Sequence, residues 1–174
     1  MFFAFEGPDG SGKSTQAARL AERLRAAGRE VVTVREPGGT PAGERIRAIL
    51  LGEGGTVELS ARADALLFNA SRAQLVDDVI RPALARGAVV IADRYSASTL
   101  AYQGYGSGLP LDELRGLVAV ATGGLEPDLT LLFDLPSETG LARKSGGDRT
   151  RFEERFDVRS EEHTSELQSR QYLV

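Results

Sequence analysis

Residues 2–15 read Phe2-Phe3-Ala4-Phe5-Glu6-Gly7-Pro8-Asp9-Gly10-Ser11-Gly12-Lys13-Ser14-Thr15, and this stretch decides the fold. An apolar run fit for a buried strand leads into the pattern G-x-x-x-x-G-K-[ST], and a helix-periodic segment follows at once. That is a phosphate-binding loop in its strand–loop–helix setting. The glycines let successive backbone N–H groups turn inward around phosphate oxygens, and the following helix N-terminus adds partial positive charge. In such a loop Lys13 reaches the β- and γ-phosphates of a nucleotide, and the Ser14 hydroxyl holds Mg²⁺. A Gly/Ser surface loop could match the same pattern, but it would not need a strand before it and a helix after it. The reading is a nucleoside triphosphate site formed by Gly7, Pro8, Asp9, Gly10, Ser11, Gly12, Lys13, Ser14 and Thr15.

The rest of the chain is consistent with one domain around that loop. Its 174 residues suffice to bury a core, and 41% hydrophobic with 26% charged residues is ordinary for a globular protein. A net charge of −4 argues against a general nucleic-acid or membrane-surface binder, both of which call for a basic surface. With no cysteine there are no disulfides and no thiolate metal sites. The apolar start runs straight into the loop without a basic leader or cleavage site, so a cytoplasmic location is expected.

Working outward, Phe2–Phe5 is expected as the first strand and Ser14–Ala27 as the first helix, with Ala17, Ala18, Leu20, Ala21 and Leu24 supplying its buried face. Glu30–Val34 is a second strand, followed by the turn Arg35-Glu36-Pro37-Gly38-Gly39-Thr40 and a helix over Pro41–Leu51. Leu59–Arg86 is a long helical region. Ala88–Ala92 is a continuous apolar run, the mark of a parallel strand buried on both faces, and it ends in Asp93-Arg94-Tyr95. Helices over Ala97–Gln103 and Leu111–Thr122 precede a fourth strand, Leu129–Phe133, and a further helix begins at Ser137. Alternating strands and helices imply an α/β fold, a parallel sheet flanked by helices of the P-loop NTPase type.

No guanine-reading N-K-x-D sequence is present, and the third strand does not end in the Asp-Glu of many motor and transport ATPases. It ends instead in Asp93-Arg94, an acid and a cation suited to a site that holds both Mg²⁺ and a second phosphate. Five segments in this order and spacing, FEGPDGSGKST, REPGGTPAGERIR, LLFNASR, DRYSASTLAYQG and DRTRFEERF, resemble the bacterial thymidylate kinases, with the likeness running from Met1 to about Val158.

That resemblance implies transfer of the γ-phosphoryl group of ATP to dTMP with Mg²⁺, giving dTDP and ADP in dTTP biosynthesis. It implies metal contacts from Ser14 and Asp93. Phe68 and Arg72 lie four apart on one helix face, and by resemblance Phe68 stacks on thymine while Arg72 donates to a thymine carbonyl. Without the motif they would read as a core Phe beside a surface Arg. Arg94 and Arg47 are implied to hold the dTMP phosphate, with Arg35 and Glu36 on the acceptor side. Thr99, Tyr102 and Gln103 line the nucleoside pocket, Tyr102 near the sugar. Arg143, Lys144, Arg149, Arg151 and Arg155 form a cationic lid over ATP. Because the phosphate loop carries no arginine, the lid is expected to supply one, with Arg149 and Arg151 leading. Asp9 is expected to position Lys13 or the metal's water shell. A homodimer is implied by the resemblance alone.

The segment from Arg159 departs from this pattern. Arg159–Ser169 reads as the conceptual translation of a sequencing-adapter oligonucleotide, so residues 159–174 are expected to be a non-native tail. They stand where the family continues into further elements, so the strand near Leu129 is expected at a sheet edge. Other nucleoside monophosphate kinases, and a nucleotide-binding fragment without turnover, are the competing readings.

Overall fold

The computed structural model describes residues 1–53, 55, 57–136, 139, 140 and 143. Its described elements run β1 (Phe2–Glu6), α1 (Lys13–Ala26), β2 (Val31–Arg35), α2 (Pro41–Leu51), α3 (Ala61–Leu75), α4 (Arg81–Ala85), β3 (Val89–Asp93), α5 (Ser96–Thr99), α6 (Leu111–Thr122) and β4 (Leu129–Leu132). The four strands pair in parallel in the order β2-β3-β1-β4. Among the described residues β4 therefore lies at an edge, with Leu129 half exposed, as its sequence position suggested.

Alternation along the strands sorts the core into two faces. Val90 and Ala92 of β3, with Phe2 and Ala4 of β1, pack beneath Leu75, Val76, Ile80 and Ala83. Val89 and Ile91, with Phe5, face Ala17 and Ala21 of α1 on the other side, with Leu20 and Leu24 partly buried against them. Ala18, expected on that face, is exposed, because it lies one residue round the helix from Ala17. Because helices cover both faces, β3 is apolar from Val89 to Ala92.

Helix boundaries follow local chemistry. The Thr40 side chain accepts from Gly43 N–H at 2.9 Å to cap α2, which ends at Gly52 with φ +74°. Ser60 caps α3 in the same way. The long helix read over 59–86 is not uniform: α3 passes into a π-helical stretch, Val76–Ile80, before α4. Pro82 is the physical reason, since it has no N–H to donate and its ring would meet the carbonyl four residues back, so the turn widens ahead of it. The helix expected over 97–103 likewise becomes α5 followed by a π-helical stretch, Leu100–Gly106. Gly104 there lets Leu111 and Leu114 approach closer than a Cβ would allow. Of the helix expected from Ser137 only residues 139, 140 and 143 are described, and these are helical; the tail over 159–174 lies outside the described residues.

Strand register is what builds the site. Phe5 and Arg35 both sit opposite Asp93, so the C-terminal ends of β1, β2 and β3 are level. The next residues, Glu6, Glu36 and Arg94, stand at one rim, Glu6 still paired with Leu132 of β4. Glu36 N–H donates to Asp93 O at 3.1 Å, and Arg94 N–H donates to Phe5 O at 2.9 Å. A parallel sheet gathers ligand-binding groups at this rim.

The core makes a direct prediction. Ile80 is fully buried and Val120 is 82% exposed. In urea unfolding, Ile80→Ala is expected to lower stability by about 2–5 kcal/mol, whereas Val120→Ala stays within about 0.5 kcal/mol. Equal losses at the two positions would contradict this placement of the core.

Candidate functional site

The phosphate loop leaves β1 with Gly7 at φ +135°, where a Cβ would collide with the Phe133 carbonyl, so this turn requires glycine. Gly12, at φ +92°, starts α1. Lys13 folds back, and its Nζ donates to Pro8 O at 2.7 Å and lies 3.9 Å from Asp9. Burial, and next the neighbouring Arg94 cation, push Lys13 down to about 8 from its ordinary 10.5. A cation held in this way is ready for an anionic ligand.

The Ser14 hydroxyl donates to the Asp93 carboxylate, so the two residues expected to face a metal are in contact. Both supply hard oxygen donors, and among the described residues no cluster of three or more His, Cys, Asp or Glu is present. One carboxylate and one hydroxyl suit Mg²⁺, which takes few protein ligands and keeps phosphates and waters for the rest of its shell. The donor set fits that ion.

Arg94 follows Asp93 with φ +72°, an uncommon backbone conformation for a residue other than glycine. Its guanidinium donates to Asp9 at 2.6 Å and to Ser98 at 3.2 Å, and lies 5.2 Å from the centre of the Tyr102 ring. Beneath it, the buried Glu6 accepts from Tyr95 N–H at 2.9 Å and from the Ser98 hydroxyl at 2.7 Å. Burial raises the Glu6 carboxyl's pKa, against the opposing pull of Arg94, Ser98 and Tyr95.

Arg72 is nearly inaccessible, at 1% exposed. It pairs with Glu36 at 2.6 Å and donates to Asn69, Thr99 and the Tyr95 carbonyl. Burial raises the Glu36 pKa and Arg72 opposes the shift. The second carboxylate oxygen of Glu36, Oε1, is buried without a partner. Gln103, also 1% exposed, donates through Nε2 to Asp64 at 3.1 Å. At the mouth, Arg35 pairs with Glu44 at 3.0 Å and donates to Pro37 O, which also accepts from Arg47 at 2.9 Å.

One cleft of about 560 Å³ joins these groups. It is lined by Asp9, Gly10, Gly12, Lys13, Ser14 and Thr15 of the phosphate loop and by Arg35, Glu36, Arg47, Phe68, Arg72, Asp93, Arg94, Thr99, Tyr102, Gln103 and Arg143. Asp93 meets the loop through Ser14, and Arg94 touches both Asp9 and the Tyr102 ring. Gly7, Pro8 and Ser11 shape the loop without lining the cleft. Arg149 and Arg151, with Lys144 and Arg155, lie outside the described residues. Sequence reasoning missed Glu6, Asp64 and Ser98. The signal for Glu6 was an acid closing an apolar strand beside the phosphate loop; Ser98 offered none beyond its place in DRYSASTLAYQG, and Asp64, two residues before LLFNASR, offered none.

The family model for thymidylate kinase matches residues 5–172. A thymidylate kinase of Pseudomonas fluorescens (strain Pf0-1) is 54% identical over 93% of this chain and 75% of its own length. One from Deinococcus radiodurans is 54% identical over 82% of this chain and 68% of its own. The crystal structure of thymidylate kinase from Ehrlichia chaffeensis superposes with a TM-score of 0.73 at 37% identity, covering 82% of this chain and 81% of that one. No described helix is long and apolar enough to cross a membrane. With the sequence match spanning most of its length and the fold matching as well, the chain belongs to the thymidylate kinase family, enzymes that phosphorylate dTMP.

Proposed function

We propose that the chain transfers the γ-phosphoryl group of ATP to the dTMP phosphate, with Mg²⁺ as cofactor, yielding dTDP and ADP. The observation that carries this reading is the cleft itself. It joins a phosphate loop to a half-buried aromatic, a buried arginine and a buried glutamine, and Arg94 touches both Asp9 of the loop and the Tyr102 ring. One cleft with both sets of groups suits two nucleotides meeting phosphate to phosphate.

In this reading Gly10, Gly12 and Thr15 offer backbone and hydroxyl donors to the ATP phosphates, and Lys13 neutralises charge at the transferring end. Ser14 and Asp93 would hold Mg²⁺, which neutralises charge on the phosphate oxygens and orients them. Arg94, held by Asp9 and Ser98, reaches both the acceptor phosphate and the phosphoryl in transit, and Arg47 and Arg35 hold the acceptor's outer oxygens. Phe68 stacks on the thymine ring. Arg72 has its N–H groups engaged with Glu36, Asn69, Thr99 and Tyr95, so it fixes the floor of the base pocket and donates to a thymine carbonyl by sharing one of them. Tyr102, under Arg94, packs against the sugar. Arg143, Arg149 and Arg151 belong to the lid that closes over ATP and excludes water. We assign the catalytic domain to residues 1–158 and treat 159–174 as a non-native tail; the enzyme acts in the cytoplasm as a homodimer.

Calorimetric titration of dTMP against dUMP and dCMP is the first test. Selective dTMP binding is expected, and a folded sample without that preference would overturn the acceptor assignment. Lys13→Ala is expected to lower the rate of γ-phosphoryl transfer by about 10²–10³-fold, and an unchanged rate would remove Lys13 from the mechanism. The lowered Lys13 pKa adds a pH signature. A triphosphate beside the ammonium favours its charged form, so binding above pH of about 8 takes up a proton. Nucleotide affinity should be flat below that value and fall as pH rises through it. Calorimetry at pH 8.5 in buffers of different ionisation enthalpy should register the uptake, and Lys13→Met should abolish it.

A further inference from the structure

We propose that Asp64, which does not itself line the cleft, is the positioning residue that sets which bases the site accepts, by locking the Gln103 side-chain amide in one orientation. The inference rests on the reading of this end of the cleft as the dTMP base pocket.

Asp64 and Gln103 are both buried, at 2% and 1% exposed, and are joined by the Gln103 Nε2 to Asp64 Oδ2 hydrogen bond of 3.1 Å. An amide side chain can rotate by half a turn with little change in shape, exchanging a donor for an acceptor at the same place. A carboxylate removes that freedom, because it only accepts. Asp64 stands in the first turn of α3, where the helix N-terminus favours a negative charge. Its neighbour on Gln103 must therefore be the NH₂ group, and the carbonyl oxygen is turned elsewhere. Gln103 lines the cleft, and among the described residues its Oε1 accepts no hydrogen bond. The side chain thus presents a fixed acceptor to a ligand base.

A fixed acceptor reads one feature of a pyrimidine. Thymine and uracil carry an N–H at ring position 3 and can donate to it. Cytosine has a bare lone pair there, which would face the carbonyl oxygen with no proton between them. A buried acceptor left unsatisfied in this way costs enough to exclude the wrong base. Asp64 therefore separates imide bases from cytosine through Gln103, while discrimination between thymine and uracil comes from other groups.

The test compares dTMP, dUMP and dCMP affinities by calorimetry for the full chain and for Asp64→Asn, whose amide can pair with either orientation of Gln103. The ratio of dCMP to dTMP dissociation constants should fall about tenfold or more, with the ratio of dUMP to dTMP unchanged. Both ratios are taken on one preparation, so a smaller folded fraction cancels. A weaker dTMP affinity with the dCMP ratio preserved would mean that Asp64 is merely structural and would overturn the proposal. Failure of the unmodified chain to prefer dTMP over dCMP would instead sink the base-pocket reading. Should Asp64→Asn bind no nucleotide, side-chain amide NMR of the unmodified protein decides. In a locked Gln103 one side-chain NH₂ proton, held by Asp64, is protected from exchange with solvent, whereas exchange of both protons at the rate of a free amide refutes the lock.

Discussion

The Arg72–Glu36 pair is the contact on which the acceptor side of this molecule depends. The two charges meet at 2.6 Å with side chains 1% and 4% exposed. A buried ion pair of this kind adds little net stability, because desolvation offsets the attraction, but removing one partner strands the other and is costly. Its effect is geometric. Arg72 belongs to α3, Glu36 follows β2, and Thr99 ends α5, so a single guanidinium fixes three separate elements against one another. The Phe68 ring one turn earlier inherits its position from that clamp.

A second network performs the same task on the phosphate side. Glu6 ties the end of β1 to Tyr95 and Ser98, Ser98 supports Arg94, and Arg94 reaches Asp9 in the loop. Each step is short and buried or partly buried, and together they connect the first strand to the third through side chains as well as through the ladder. The level register of β1, β2 and β3 allows both networks to exist, because acids and arginines that follow three different strands emerge at one height.

How much of this was legible depends on sequence distance. The phosphate loop was readable because its chemistry is contiguous, and β3 was readable because a strand covered on both faces has no polar side to show. The Phe68–Arg72 spacing placed both residues on one helix face. That Arg72 is buried was not readable from spacing: its partner lies 36 positions away, and arginine is ordinarily exposed. The Asp64–Gln103 bond spans 39 positions and left no local pattern. The π-helical turns escaped because the apolar period continues through them, and only Pro82 hinted at the first. Among the described residues β4 lies at an edge, and nothing in the strand's own residues marks it as one.

Arg94 is a site where backbone and side chain favour different residues. A positive φ in an arginine is a local strain of about 1–3 kcal/mol, held in place by Asp9, Ser98 and the Tyr102 ring. Glycine would relax the backbone but discard the guanidinium, leaving the Asp9 carboxylate and the buried Glu6 without the cation that faces them. The turn that glycine would suit best is thus closed to it by the charges gathered there, and any effort to harden the scaffold should leave position 94 alone.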